Sequence, residues 1–518
     1  MFSGTSSAPQ EVSLPSDGSR RGLLVLWGLL ALVSPAAGST FNVRSYGAAG
    51  NGVTDDTAAI GGAIAAAQAA GSGSTVYLPT GTYLYSAVLN ANGITIEGDG
   101  IGATNLVAAD SNNSSLYITG SGPVVTGLSI TTRTAPTVRN PNPSGTGIQV
   151  LKAKGFTITN VKISQVASAG ILVRQSTGAT GGGYSEIQNC EISGTLADGI
   201  NVTQVSSYLE VQGDYIHDTG DDFISVVSYH ADGAECVNIL IHNNIAERNT
   251  NGRGIAVVGG SSLQIYNNQV VSTVDSGIYA ASEPTYDTFG VDSVSIHNNL
   301  VKCCPKLAIS GHSGVTLLGR VDPANPSATD LWVTHVTAND NTVLNSATYG
   351  VSVGACTGEI TLSLNHIGLA AYDGVTISSG ASVINCLGNT IQDVGQNGFT
   401  VQAGATEVSI AADPATGLGN TICNTGRYGV YVNTANSADV VTIDSNIIDS
   451  VNRENTSYVD VICVEGTGSG ATITIENNQY MNSANGPVNR LIESINTPLA
   501  QVSGNSSTIT LPSLYTLM

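Results

Sequence analysis

Short apolar segments of strand character, each four to eight residues long, recur along almost the whole chain between clusters of Gly, Asn, Asp and Ser. Their most regular element is a small residue followed by a branched or aromatic one. It appears at Gly147-Ile148, Gly170-Ile171, Gly199-Ile200, Phe223-Ile224, Gly254-Ile255, Gly277-Ile278, Ala308-Ile309, Gly350-Val351, Gly374-Val375, Gly398-Phe399 and Gly429-Val430. The spacing lies mostly in the twenties, the period of a β-solenoid whose repeat is one coil. The pattern therefore predicts an all-β chain of stacked parallel strands. Residues one period apart should stack about 4.8 Å apart.

Before the repeat the pattern changes. An Ala-rich stretch from about Asp55 to Ala70 reads as a helix, started by Thr54 or Asp55, and it is placed as a cap on the solenoid end. Asp55-Asp56 is assigned to that helix start rather than to chemistry. Four segments result: a signal peptide over 1–38, an N-terminal cap with the first strands over 39–100, coils over 101–480, and a C-terminal cap or tail over 481–518. The signal assignment rests on Arg20-Arg21, the apolar run Leu23 to Val33 and the small residues Ser34 to Gly38. It implies a secreted protein, extracellular or periplasmic, with no membrane association once the signal is removed. A monomer is expected.

Charge narrows the partners. Seventeen Lys and Arg against 38 Asp and Glu give a net charge of −21, which excludes nucleic acid and anionic membrane as natural partners. Eight cysteines suit an oxidising compartment, but they lack zinc spacing, and buried thiols remain as good a reading as disulfides. Asn112, Asn113, Asn201, Asn455 and Asn505 occupy Asn-x-Ser/Thr sequons.

The candidate chemistry comes from stacking. Two residues before each repeated Ile, Val or Phe, the column reads Thr146, Ala169, Asp198, Asp222, Arg253, Ser276, Leu307, Tyr349, Asp373, Asn397 and Tyr428. Two carboxylates and a guanidinium thus fall on three successive coils, with Asp221 adjacent. Crowded acids cannot all ionise, so one keeps a proton while another stays charged. Glycosidic cleavage needs that division of labour. Arg253 would orient substrate. His217 and Tyr229 would line the same end, and Tyr279, with Glu283 and Tyr286, would offer a stacking surface. His230 reads as a loop histidine, and Gly311-His312-Ser313-Gly314 as a loop beyond its strand.

The opening Phe41 to Thr57 and the coils after it resemble the pectate-lyase-type right-handed parallel β-helix superfamily over nearly all of residues 41–480. The order Asp198-Gly199, Asp221-Asp222, Gly252-Arg253-Gly254 is similar to the polygalacturonase-like glycoside hydrolases, with Arg253 in place of their His. Ser276 to Ala280 lacks their Arg-Ile-Lys, which grips a uronate carboxylate. The resemblance implies Asp221 as general acid, Asp198 and Asp222 as water-activating bases, and inversion; the 4.8 Å column spacing lies nearer the retaining range. The expected function is a secreted polysaccharide hydrolase, without cofactor or metal; three aspartates without the uronate grip resemble dextranase-type or α-glucanase-type relatives, which act on neutral glycans. Two alternatives stand: a lyase or C5-epimerase on a uronate polymer, for which Ca²⁺ would be possible, and a non-catalytic glycan-binding surface solenoid.

Overall fold

The computed structural model describes residues 38–508, apart from 309–310, 322–329, 356, 435–438, 456–459, 467–469, 483–487 and 489, and the backbone of 513–517. The expected signal, except Gly38, lies outside the described residues.

Each full coil contributes three strands. Ile200–Thr203, Ser207–Gln212 and Tyr215–His217 form one such set, and Ile224–Val227 begins the next. First strands make a 16-stranded parallel sheet, and the others a 32-stranded one, giving the expected right-handed parallel β-helix. Register follows the repeat: Ile148 pairs with Ile171, Ile171 with Ile200, Ile200 with Ile224, Ile224 with Ile255 and Ile255 with Ile278. These isoleucines are fully buried and stack into a continuous core, each contributing roughly 1.5–3 kcal/mol.

The Gly before the Ile is steric in origin. A Cβ at Gly199 would lie 2.5 Å from Ile216 Cγ2 and from the Phe223 carbonyl oxygen; at Gly254 it would lie 2.3 Å from Val270 Cγ1. The backbone there runs against the neighbouring coil with no room for a side chain. Phe223, in the equivalent place, is itself fully buried.

Three expectations are corrected. Ile309 lies outside the described residues, and the register position after Ile278 belongs to Val315, which pairs on to Val351. Gly314 carries the same steric signature, its Cβ falling 2.3 Å from Val343 Cγ1. Ser313, not Leu307, therefore joins the column, and His312 is part of the coil rather than of a remote loop. Parallel pairing also continues past residue 480, with Arg490–Ile495 on Asp460–Gly466 and Gln501–Ser503 on Thr472–Glu476. Finally, the helix spans Thr57–Ala70 with Asp56 at its cap position. The Asp56 carboxylate accepts from the Ala49 and Gly50 amides, whereas Asp55 accepts from the Thr57 amide and hydroxyl. Ile60, Ala63, Ile64 and Ala67 of the helix join the core at the first coils, as a cap should.

Between second and third strands runs a buried ladder from Asn244 through Asn268 and Asn299 to Asn505. In most steps the side-chain oxygen of one Asn accepts from the amide and Nδ2 of its predecessor. Asp214 heads it, donating its amide to Asn244 Oδ1 and accepting from the Cys190 amide. The seven described cysteines are free thiols. No helix among the described residues is long and apolar enough to cross a membrane.

Candidate functional site

The turn from each third strand into the next first strand delivers the column residues to one edge of the 16-stranded sheet. Three such turns bring Asp198, Asp222 and Arg253 together, because Ile200, Ile224 and Ile255 are in register. Asp221 stands beside them. One oxygen from each of the three carboxylates lies within 4.8 Å of the others. They line a cavity of about 380 Å³ with Arg139, Asn201, Ser225, Tyr229, Arg253, Glu283 and Tyr286.

Each acid has a distinct setting. Asp198 is buried, and its Oδ2 accepts from Asn201 Nδ2 at 2.7 Å and Ser225 Oγ at 3.1 Å. Burial first, then the charge of Asp221, pushes its pKa up to about 6. Asp222 is deeper in effect: burial pushes it up to about 8, opposed by Arg253 and reinforced by Asp198 and Asp221. Its Oδ1 accepts from the Arg253 amide at 2.6 Å, and the Arg253 Nε lies 3.5 Å away. Asp221 is the most accessible of the three. Its Oδ2 accepts from Arg139 Nη1 at 2.7 Å, and its Oδ1 from the Asp222 amide.

The backbone makes room for this arrangement at Gly252. Its φ of +79° is left-handed, and a Cβ there would lie 2.5 Å from Asp221 Oδ1. Arg253 is held by Glu283 Oε1 at 2.8 Å from Nη2 and by the Tyr279 ring, 4.6 Å from its centroid. A charged hydrogen bond and a cation–π contact together fix its direction.

The four expected binding residues divide. Arg253 and Tyr229 line the cavity. Tyr279 is only 3% exposed and lies beneath Arg253, so it supports the guanidinium instead of offering a face to a ligand. His217 is elsewhere. It closes a third strand on the outer wall, stacked on Tyr215 and bonded through Nδ1 to Asp218 Oδ2 at 2.7 Å, before the turn reaches the cavity. His230 pairs with Asp287 and packs on Phe289.

Some residues went unrecognised in the sequence. Asn201 and Ser225 lie three places after Asp198 and Asp222 on paired strands, so the period that found the acids could have found them too. Asn201 was visible only as a sequon. Arg139 comes from a segment outside the repeat, and no periodic signal points to it.

Three clustered carboxylates resemble an oxygen set for Ca²⁺, which takes six to eight oxygen ligands. Here Asp221 engages Arg139, Asp222 engages the Arg253 amide, and burial keeps Asp198 and Asp222 partly protonated. Two guanidiniums beside the set oppose a second cation. These residues do not fit Ca²⁺.

Residues 40–279 match the family model described as rhamnogalacturonase A/epimerase, pectate lyase-like. Mannuronan C5-epimerase AlgE4 of Azotobacter vinelandii is 42% identical over 81 residues, which are 14% of this chain and 14% of that protein. Alginate lyase 7 of the same organism is 44% identical over 78 residues, 14% of this chain and 9% of that protein. The chain thus spans only a small part of the curated relatives it matches. Among solved structures, the catalytic unit of the GH87 α-1,3-glucanase of Streptomyces thermodiastaticus strain HF3-3 has a TM-score of 0.43 at 16% identity. That comparison covers 90% of this chain and 69% of the other. The Azotobacter vinelandii mannuronan C-5 epimerase AlgE6 A-module has a TM-score of 0.32 at 17% identity, covering 92% and 100%. By its coils the chain is a right-handed parallel β-helix, and its residues 40–279 are similar to a pectate-lyase-like family model.

Proposed function

We propose that the protein is an exported glycoside hydrolase that cleaves a polysaccharide with the three aspartates. The observation that carries this reading is the unequal setting of neighbouring acids in one cavity: Asp222 is buried, which pushes its pKa up to about 8, while the more accessible Asp221 accepts from Arg139 Nη1 at 2.7 Å. Hydrolysis needs one carboxyl to protonate the leaving oxygen and one carboxylate to act on water or on carbon. Burial favours Asp222 as the proton donor, leaving Asp198, with Asp221 beside Arg139, to act on water or on carbon. This exchanges the roles of Asp221 and Asp222 that resemblance to the polygalacturonase-like enzymes implies. Arg253, held by Glu283 and Tyr279, would orient a sugar hydroxyl, and Tyr229 would flank the ring.

Inverting enzymes need carboxyls about 6.5–9.5 Å apart. Oxygens within 4.8 Å of one another favour retention instead. The anomer of the first product, read by NMR, separates the two outcomes.

The test is the release of reducing ends from a panel of neutral and acidic glycans by the wild type and by Asp222→Asn and Asp198→Asn. Each substitution should lower turnover by at least a hundredfold with an almost unmoved thermal midpoint. An aryl glycoside whose leaving group needs no proton should rescue Asp222→Asn but not Asp198→Asn. Full activity in both variants would refute the proposal.

A second reading, lyase or C5-epimerase, is favoured by the short stretches of identity with mannuronan epimerases and an alginate lyase. Those reactions must neutralise a uronate carboxylate. Arg139 and Arg253 are the basic groups in the cavity, and both are already engaged by acids. Unsaturated product ends absorbing in the ultraviolet would favour this reading over hydrolysis. Glycan binding with neither product would favour a non-catalytic solenoid.

A further inference from the structure

Along the same outer face of the 16-stranded sheet, a second cavity of about 240 Å³ opens over the strands Val315–Leu318, Val351–Val353 and Val375–Ile377. Thr316, Ser352 and Thr376 are register partners on successive strands, so one hydroxyl faces outward per coil. Tyr349 and His312 form its sides, and Gln402 stands at its exposed rim. Pairing through Ala256 and Tyr279 places Thr316 three strands from Ser225, about 14 Å along the solenoid. Between the cavities Ala256, Val258, Tyr279, Ala281 and Leu318 pack into an apolar ridge. The two are therefore separate.

Among the described residues the lining mixes hydroxyl, amide and imidazole groups with apolar surface and bears neither a carboxylate nor a Lys or Arg. Ser276, Thr316, Ser313 and Ser352 satisfy one another through hydroxyl bonds of 2.6–2.8 Å, and His312 Nδ1 lies 3.0 Å from Ser276 Oγ. Burial, foremost among several influences, lowers the pKa of His312, so the ring is neutral at pH 7. Thr376 differs from its neighbours. It is 3% exposed, lines the cavity, and its Oγ1 has no hydrogen-bond partner among the described residues. A buried hydroxyl without a partner is costly, and a ligand hydroxyl would supply the missing bond.

We propose that this cavity is a second carbohydrate site, taking one uncharged sugar unit with its hydroxyls on Thr376, Ser352 and Gln402 and its apolar face against Tyr349. Uncharged hydrogen-bonding groups beside an aromatic ring match a neutral pyranose, and among the described residues no Lys or Arg lines the cavity to meet a uronate. On the shared face of the solenoid it would hold a polysaccharide at a distance from the three aspartates. The binding chemistry does not depend on what those aspartates do.

Titration calorimetry tests this with maltotetraose, nigerotetraose, cellotetraose and tetramannuronate, on the wild type and on Asp222→Asn. At least one neutral tetrasaccharide should bind both proteins. Tyr349→Ala should weaken that binding roughly tenfold or more. Thr376→Val, which keeps the volume, and Gln402→Ala, at the exposed rim, should each weaken it roughly three- to tenfold, the worth of one hydrogen bond. No neutral ligand binding, binding indifferent to all three substitutions, or equal affinity for tetramannuronate would overturn the site. Failure of the hydrolase reading would appear separately, as absent reducing ends with this binding intact.

Discussion

Replacing Asp214 with Asn should stabilise the protein, and by an amount that grows with pH. Asp214 heads a ladder otherwise made of asparagines, fully buried, with Oδ2 lacking a hydrogen-bond partner among the described residues. Burial pushes its carboxyl up to about 7, only partly opposed by the Cys190 amide, against an ordinary 3.8. Between those two values the folded protein keeps a proton that the unfolded chain has released. Stability therefore falls as pH climbs through this window and levels off above about 7. A gap of about three pKa units corresponds to about 4 kcal/mol. An amide at this position carries no charge at any pH, and its Nδ2 can donate as Asn244 does to Val211 O and Asn268 Oδ1. Urea midpoints followed by far-UV circular dichroism at pH 4 and pH 8 measure the effect. The advantage of Asp214→Asn should be small at pH 4 and several kcal/mol larger at pH 8. An advantage of equal size at both pH values, or a loss at pH 8, would refute the reasoning.

The aspartate cluster makes its own predictions. With Asp198 near 6 and Asp222 near 8, kcat/KM should rise through about pH 6 and fall through about pH 8, the apparent values belonging to the coupled set; a flat profile from 5 to 9 would contradict the roles given. Arg139 favours the ionised form of Asp198, so Arg139→Ala should move the acid limb to higher pH, as pH–rate profiles would read. Gly252→Ala forces a Cβ to within 2.5 Å of Asp221 Oδ1 at a left-handed φ, and should cost at least tenfold in turnover along with about 1–2 kcal/mol of stability. Dialysis against a chelator should leave turnover unchanged, since the acids are engaged by guanidinium and amide; loss restored by Ca²⁺ would show the donor set misjudged.

What could be read from sequence followed the repeat. The isoleucine stack fixes register because each Ile must point inward, and a one-residue slip would turn it outward. That constraint carried Asp198, Asp222 and Arg253 to one edge without further information. It failed after Ile278, where Ala308-Ile309 has nearly the right spacing and composition. Val315 and Leu317 are buried there in the core, and the longer turn holds Cys304, also buried. Spacing cannot distinguish two apolar candidates when an insertion separates them; only packing does. His217 was misplaced for a related reason: neighbours in sequence to Asp221, it and the acids lie on opposite sides of a sharp turn. Arg139, from outside the repeat, required the folded chain.

The site is also where this chain breaks its own rule. From Gly147 to Gly429 the other described coils enter the sheet through a glycine that the next coil presses against. At this level Phe223 replaces Gly, Gly252 adopts a left-handed backbone, and Arg253 fills a column position that from Thr146 to Tyr428 is otherwise held by uncharged side chains or an acid. A parallel solenoid spaces column residues by the strand separation, about 4.8 Å, so acids on adjacent coils cannot both ionise when buried. The lattice thus stores a proton wherever two such acids coincide. Asp373 shows that one buried acid is not enough: it accepts from the Asn397 amide and has no second carboxylate on a neighbouring coil of the column. Chemistry requires in addition an ionised partner off the lattice. In the proposed reaction Asp221 would take that place, because Gly252 leaves it space and Arg139 pairs with it at 2.7 Å.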